Sequence, residues 1–177
     1  MIIEIPLVVV NVQRGGPSTG LPTKTEQSDL LQAMFGRNGE SPVIVLAAST
    51  PANCFNFAYE ASKLSLEHMT PVVLLTDGYI ANGSAPWKIQ SVGDMPDIQP
   101  NIIKEPREDW HPYNRNPDTL AREWPIPGTP GLEHRVGGLE KDRVSGNVSY
   151  VPDNHEYMVK IRSEKIKRVQ NLSLIHI

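Results

Sequence analysis

The sequence contains a single cysteine, Cys54, among 177 residues. An internal disulfide framework, or a multi-cysteine zinc or iron–sulfur site carried by this chain alone, is therefore excluded. No apolar run approaches the roughly 18–20 residues that a membrane span requires. The 17 basic residues are outnumbered by 20 acidic ones, so no basic face favours nucleic acid. No charged segment followed by an apolar one opens the chain, and we expect a cytoplasmic protein without membrane or nucleic-acid partners.

The first half of the sequence alternates between strand and helix signals. Apolar runs predict strands at Ile5–Val12, Ser41–Ala48 and Pro71–Thr76. Helices are predicted at Glu26–Phe35, ending at Gly36, and from Thr50, as N-cap, to about Met69, with Phe55, Ala58, Tyr59, Ser62 and Leu66 facing the sheet. This order predicts an α/β fold with a parallel sheet. The first strand lacks alternation and is expected to be buried on both faces, which suggests that upstream strands are missing.

Proline marks a change of composition midway along the chain. Nine of the 16 prolines lie between Pro86 and Pro130, and no periodic pattern survives from Pro86 to Gly138. Long helices and central strands are excluded there. Three tryptophans favour an extended arm packed on a surface over a free linker: Trp87, Trp110 and Trp124. We expect the C-terminal half of a domain at 1–85, the arm at 86–151 and a helix at 152–171.

The final predicted helix carries a basic face and, near its beginning, a pattern typical of a helix N-terminus. Asp153 and Glu156 resemble a capping box. Its apolar stripe is partial, and its five basic residues are expected to be solvated rather than to bind an acidic partner: Lys160, Arg162, Lys165, Lys167 and Arg168. The last six residues, Leu172–Ile177, also translate a frame of a common transposase-based sequencing adapter. We interpret 172–177 as an artefact of library preparation and exclude it from the fold.

The strongest candidate site follows the first predicted strand. Ligands of parallel sheets bind outside the carboxyl ends of the strands, and the loops Arg14–Thr23, Ser49–Thr50 and Asp77–Ser84 are expected at that edge. Glycines let backbone N–H groups approach a ligand, and an arginine is the preferred bidentate partner of a carboxylate. The pattern therefore predicts an anion site formed by Arg14, Gly15, Gly16, Pro17, Ser18 and Thr19. The alternative is a tight, solvated turn with a surface arginine, and Leu21-Pro22 exclude a P-loop.

Other chemistry-bearing residues favour structural roles. Asp77 precedes a glycine and is expected to cap the following turn rather than to hold a metal or a ribose hydroxyl. Cys54 lies inside a predicted helix and is expected to be a packed, inert thiol. His68, His111, His134 and His155 share no metal-ligand spacing. We therefore expect no metal site and assign no catalytic acid or base.

Long stretches of the sequence resemble a known enzyme family. VNVQRGGPSTGLPTKTEQSDLLQAMFGRNGE, STPANCFNFAYEASKLSLEHMTPVVLLTDGYIANGSAPWKI and GTPGLEHRVGGLEKD are similar to the alpha subunits of bacterial 2-oxoacid:ferredoxin oxidoreductases, most closely the 2-oxoglutarate type. The resemblance covers essentially Glu4 to Asn171. It implies a fragment of a pyrimidine-type thiamine-diphosphate-binding domain, in which Arg14 binds the substrate carboxylate and residues 15–19 shape the pocket.

The resemblance also implies cofactors and partners. The assembled enzyme would use thiamine diphosphate, Mg²⁺ and a 4Fe–4S cluster, with Mg²⁺ and the cluster held by the beta subunit. Its other partners would be ferredoxin, coenzyme A and the 2-oxoacid. The family's upstream Tyr-Pro-x-Thr-Pro segment and cofactor-activating glutamate have no counterpart here, so this chain alone is expected to be inactive and its cofactor-binding residues unknown. Open alternatives are pyruvate or a branched 2-oxoacid as substrate, a non-catalytic anion-binding module, or a pure assembly subunit.

Overall fold

The sheet at the centre of the molecule has three parallel strands. The computed structural model describes residues 1–170, and the expected artefact at 172–177 lies outside them. The strands are β1 (Leu7–Gln13), β2 (Ile44–Ala47) and β3 (Pro71–Asp77). Their order is β1-β3-β2, with Leu7 paired with Pro71 and Ile44 paired with Val72. The predicted α/β architecture with a parallel sheet is confirmed.

Within residues 1–170, four α-helices accompany the sheet: α1 (Leu30–Phe35), α2 (Pro51–His68), α3 (Gly78–Asn82) and α4 (Pro152–Gln170). The start of α2 is the one the sequence predicts. Thr50 Oγ1 accepts a hydrogen bond from Asn53 N at 3.2 Å, and Asn53 Oδ1 accepts one from Thr50 N. Met69 ends the helix in the left-handed region, with φ at 48°. Local capping therefore sets both ends of α2.

The core packs α2 and α4 against one face of the sheet. Its buried strand residues are Ile44, Leu46, Val72 and Leu74. From the helices come Ala61, Leu64 and Val169. The face predicted for α2 is wrong, because the helix buries Ala61, Leu64, Ser65 and His68 instead. Phe55, from the predicted face, is exposed and stacks on Trp87 with 5.0 Å between ring centroids.

Strand β1 is more exposed than predicted. Leu7, Val10 and Val12 are each about half exposed, although the sequence suggests burial on both faces. Within residues 1–170 the strand pairs with β3 alone and therefore forms one edge of the sheet. Beside it lies an apolar hollow of about 690 Å³, lined by Val9 and Val73 among others. The expectation of two-sided burial is wrong for the described residues, in which β1 has one neighbouring strand and borders this hollow on one face.

Helix α1 begins four residues later than predicted. Side chains at the ends of β1 and β3 bind the backbone N–H groups that would form the first helical turn. Asp77 Oδ2 accepts a hydrogen bond from Glu26 N, and Gln13 Oε1 accepts one from Asp29 N. These contacts hold residues 26–29 outside the helix. The helix then ends as predicted, with Gly36 N donating to Gln32 O at 2.8 Å.

The segment between α3 and α4 contains little regular structure. It holds a 3₁₀ turn at Val92–Asp94 and two short paired strands, β4 (Ile102–Ile103) and β5 (Trp124–Pro125). The lack of long helices and central strands predicted for this segment is confirmed within the described residues. Its contacts reach back to α2, because Tyr59 donates a hydrogen bond to Pro96 O at 2.6 Å and Glu67 accepts one from Gln99 N.

Helix α4 departs from two expectations. The capping box does not form, because the helix begins at Pro152 and Glu156 pairs with Lys160 within it. The basic face is also not simply solvated. Lys165 has only 2% of its side chain exposed, and Arg162 forms a bidentate pair with Glu140. Acidic residues distant in sequence bind these cations and permit their burial.

A buried charge cluster joins the two ends of the described chain. The Glu4 carboxylate, 1% exposed, accepts two hydrogen bonds from Arg115 at 2.7 and 2.8 Å and one from Lys165 at 2.6 Å. Arg122 donates to the Glu4 carbonyl at 3.0 Å. Burial alone would raise the pKa of Glu4, but the charge of Lys165 and the hydrogen bonds and charge of Arg115 lower it to about 2. The carboxylate therefore stays ionised within the core.

None of the helices described between residues 1 and 170 combines the length and the apolar character of a bilayer-spanning segment.

Candidate functional site

The loop that follows β1 closes on itself at its base. Leu21 N donates a hydrogen bond to Gly15 O at 2.9 Å, and the two residues form an antiparallel bridge. Gly20 adopts φ +47°, and a Cβ at this position would lie 1.5 Å from Gly15 O. A residue with a side chain cannot occupy that space. The Gly16–Pro17 peptide bond at the tip of the loop is cis.

The six residues predicted to bind an anion lie together in this loop. Arg14 and Gly16–Thr19 are exposed, and Gly15 is half-buried. Ser18 is in the left-handed region, with φ at 56°. Within residues 1–170, Arg14 takes part in no ion pair. The guanidinium is therefore available to a ligand, as is a backbone turn rich in glycine.

The loop rests on the carboxyl ends of β1 and β3. Gln13, 4% exposed, accepts from Asp29 N at 3.0 Å and donates to Thr76 O at 3.3 Å. Asp77 accepts from Glu26 N at 3.3 Å and from Ile80 N at 2.8 Å. The capping role predicted for Asp77 is thus confirmed, and the same carboxylate also anchors the loop. These anchors were not found from the sequence, although a polar residue ending an apolar strand is a signal for them.

A small cavity of about 150 Å³ opens where the three strands end. Its walls include Gln13 of β1, Ala47 of β2 and Asp77 of β3, together with Glu26 and Leu30. The predicted convergence of the strand ends at one edge is therefore confirmed. Pockets for small ligands usually hold roughly 300–1,000 Å³. The cavity is smaller than such a pocket, and neither Arg14 nor residues 15–19 are among the residues that line it.

Cys54 and His68 are the next candidates for reactive or ligating side chains. Cys54 Sγ contacts Thr50 O at 3.5 Å, and burial, followed by the charge of Asp77, raises the pKa of its thiol. A raised pKa fits the inert thiol that the sequence predicts. His68 is buried, and burial lowers its pKa. No group of three or more His, Cys, Asp or Glu side chains able to hold a metal ion occurs among residues 1–170.

Fold and site together define a class: a parallel α/β domain that presents an arginine-bearing glycine loop at the carboxyl edge of its sheet. A family model described as "Pyruvate flavodoxin/ferredoxin oxidoreductase, thiamine diP-bdg" matches residues 1–150. The chain belongs to this family of thiamine-diphosphate-binding domains. The resemblance derived from the sequence is confirmed at the level of the family.

Individual relatives point in the same direction. The chain is 58% identical over 166 residues to the 2-oxoglutarate oxidoreductase subunit KorA of Mycobacterium tuberculosis, covering 94% of this chain and 25% of that protein. It is 36% identical over 169 residues to the 2-oxoglutarate synthase subunit KorA of Methanothermobacter thermautotrophicus, covering 93% of this chain and 43% of that protein.

A solved structure shares the fold. The 2-oxoglutarate:ferredoxin oxidoreductase from Magnetococcus marinus, with 2-oxoglutarate, coenzyme A and succinyl-CoA bound, matches with a TM-score of 0.82 and 34% identity. The match covers 98% of this chain and 30% of that one. The chain thus spans between a quarter and less than half of the length of these relatives.

Proposed function

We propose that this chain is part of the catalytic alpha subunit of a 2-oxoacid:ferredoxin oxidoreductase that acts on 2-oxoglutarate. The reaction would convert 2-oxoglutarate, coenzyme A and two oxidised ferredoxins to succinyl-CoA, CO₂, two singly reduced ferredoxins and one proton. Membership of the family supports the reaction class. The names of the similar proteins support 2-oxoglutarate over pyruvate or a branched 2-oxoacid as the substrate.

Arg14 is the residue to which we assign the substrate carboxylate. It is exposed at the end of β1, and no acidic side chain of residues 1–170 neutralises it. Its planar guanidinium can bind a carboxylate through two parallel hydrogen bonds. Such a grip orients the keto carbon for reaction, and fixed orientation supplies part of an enzyme's rate. Residues 15–19, Gly15 to Thr19, would complete the wall around the bound acid.

At the ends of the three strands, the described residues 1–170 do not enclose thiamine diphosphate. The 150 Å³ cavity is too small for a cofactor of that size, and residues 1–170 contain no cluster of ligands for the divalent cation that accompanies a diphosphate. The described residues therefore do not fit a complete cofactor site. We propose that a beta subunit holds Mg²⁺ and the 4Fe–4S cluster, and that this chain contributes the substrate-facing loop.

We further propose the division of the chain that its composition suggests. Residues 1–85 would be the C-terminal half of the pyrimidine-binding domain, and residues 86–151 an extended arm. The arm contacts the sheet domain through Arg115 and Arg122, which bind Glu4. The helix at 152–171 would lead into the next domain.

The decisive experiment is Arg14→Ala in the full-length subunit, co-expressed with its beta subunit. Loss of a desolvated charge pair costs about 3–5 kcal/mol. We therefore expect kcat/KM for 2-oxoglutarate to fall by roughly two to four orders of magnitude in a CoA-dependent ferredoxin-reduction assay. Lys167→Ala, which removes an exposed cation of α4, is the matched control and should leave kcat/KM unchanged.

Three results would contradict the proposal or a part of it. Unchanged 2-oxoglutarate turnover in Arg14→Ala would reject the role of Arg14. A wild-type enzyme that reduces ferredoxin faster with pyruvate or a branched 2-oxoacid would keep the reaction class and replace the substrate. Absence of turnover with all three acids, together with tight binding of a carboxylate, would favour the non-catalytic anion-binding module.

A further inference from the structure

The carboxylate of Asp77 connects the last residue of β3 to two different segments. Its Oδ1 accepts a hydrogen bond from Ile80 N at 2.8 Å and so caps α3. Its Oδ2 accepts one from Glu26 N at 3.3 Å, in the segment that returns from the Arg14 loop. The residue is only 5% exposed. Asp77 thus links the segment after the Arg14 loop to the end of β3.

Because Gly78 has no side chain, the backbone of the returning segment packs directly against the residue that follows β3. A Cβ at this position would lie 2.0 Å from Pro22 O and 2.7 Å from Pro22 C. Both are backbone atoms, which cannot move aside as a flexible side chain would. Any side chain at position 78 must therefore displace residues 22–23, and with them the closed turn between Gly15 and Leu21.

The beginning of the loop is fixed to the same strand. Gln13, which directly precedes Arg14, donates a hydrogen bond to Thr76 O. Its side-chain oxygen Oε1 accepts a hydrogen bond from Asp29 N, beyond the far end of the loop. Both limbs of the loop are therefore held at the carboxyl end of β3, while the tip that carries Ser18 is free of these contacts.

We propose that Asp77 and Gly78 are positioning residues for Arg14, because they fix the returning segment Pro22–Glu26 and thereby the place of the guanidinium. This inference rests on the proposed function of Arg14. Neither residue needs to contact the substrate. A displacement of about 1 Å at a reacting group can cost roughly a hundredfold in rate. Contacts that fix the position of Arg14 should therefore have a measurable effect on the rate.

The test uses the full-length enzyme with its partner subunit. Asp77→Asn keeps the size of the side chain but replaces one of its two acceptor oxygens with an NH₂ group. Gly78→Ala displaces the loop without altering any charge. Each variant should lower kcat/KM for 2-oxoglutarate by roughly ten- to a hundredfold, while KM for coenzyme A changes by less than about twofold, a difference that general loss of structure would not produce.

The coupling to Arg14 is measured by double-mutant cycles. In an Arg14→Ala background, Asp77→Asn and Gly78→Ala should each cause a further loss of less than about twofold, because the group they position is gone. Asp142→Asn is the matched control: Asp142 also accepts backbone N–H groups, from Val144 and Ser145, but in the arm. It should leave both KM values unchanged.

The outcomes separate the two proposals. If Arg14→Ala impairs turnover but the Asp77 and Gly78 variants are neutral, or their losses add fully to that of Arg14→Ala, the positioning role is rejected and the function of Arg14 stands. If Arg14→Ala is neutral, the proposed function itself fails. If the Gly78→Ala subunit does not assemble with its partner, the double-mutant cycle of Arg14→Ala with the near-isosteric Asp77→Asn tests the positioning role by itself.

Discussion

Two arginines of this chain, Arg14 and Arg115, stand in opposite surroundings. Arg115 has 8% of its side chain exposed and grips Glu4 through two hydrogen bonds, beside the ammonium of Lys165. Arg14 is exposed at the other end of β1 and pairs with no acidic side chain of residues 1–170. The same functional group is thus neutralised inside the fold in one place and, among the described residues, left exposed without an ion pair in the other.

The comparison distinguishes a charged group that stabilises the fold from one that is not needed for stability. Glu4 lies shortly before β1 and Arg14 directly after it, so nine residues, seven of them in β1, separate a structural ion cluster from a candidate binding loop. Removing one member of a buried cluster leaves other charges unpaired in the core, which is costly. Removing an exposed cation costs the fold little. Stability and activity should therefore respond to different substitutions.

The largest expected effect is that of Glu4→Gln. It leaves Arg115 and Lys165 buried without their counter-charge, so the free energy of unfolding should fall by about 3–5 kcal/mol. Urea denaturation followed by circular dichroism measures this. Glu156→Gln removes an exposed partner of Lys160 and serves as the control, with an unchanged midpoint. A Glu4 variant as stable as the wild type would show that the cluster is not a stabilising feature.

The second effect is a pH dependence that Glu4 imposes. Its pKa of about 2 in the folded state lies below its ordinary value of 4.5, so its contribution is present above about pH 5 and is lost as the pH falls towards 2. The shift corresponds to about 3 kcal/mol. The stability difference between wild type and Glu4→Gln should shrink progressively over that range. A difference that stays constant from pH 7 to pH 3 would contradict the ion-pair account.

An intermediate effect is expected in the loop itself. Gly20→Ala forces a side chain into the left-handed region and against Gly15 O, so the unfolding free energy should fall by about 1–2 kcal/mol. Gly138→Ala, where nothing lies within 4 Å of the added Cβ, is the control and should not destabilise. Thermal denaturation compares the pair. Equal melting temperatures would mean that the loop opens without cost.

The smallest expected effect on stability is that of Arg14→Ala. An exposed cation without an ion pair in the described chain should change the free energy of unfolding by less than about 0.5 kcal/mol. The same variant is expected to lose most of its turnover in the assembled enzyme. A destabilised Arg14 variant would mean that this arginine resembles Arg115 after all, and the contrast between the two would disappear.

Much of the sheet domain could be predicted because its signals are local. Three apolar runs, and a Thr50-Pro51 start with a helix of fitting length, define β-α-β order without knowledge of distant contacts. The Arg14 loop was equally visible, since a glycine-rich turn directly follows a strand. Its six residues do lie together at the sheet edge, and what they bind remains a proposal.

The errors arise where distant groups decide local structure. Helix α1 starts late because Gln13 and Asp77, 16 and 51 residues away from their partners, bind the backbone of its first turn. The burial of Lys165 depends on Glu4, 161 residues earlier. A single sequence contains no periodicity that links such positions. Polar residues at strand ends and isolated cations within an apolar helix stripe are the sequence signals that indicate such distant contacts.

The link between Glu4 and Lys165 has a consequence for how the protein is made. Ribosomes add about 5–20 residues per second, so roughly 10–30 s separate the synthesis of the two residues. Throughout that interval Glu4 lies beside β1 with no basic helix to receive it. The cluster of Glu4, Arg115 and Lys165 therefore cannot assemble until translation has passed the arm, and the packing of α4 onto the sheet is a late event in the synthesis of this chain.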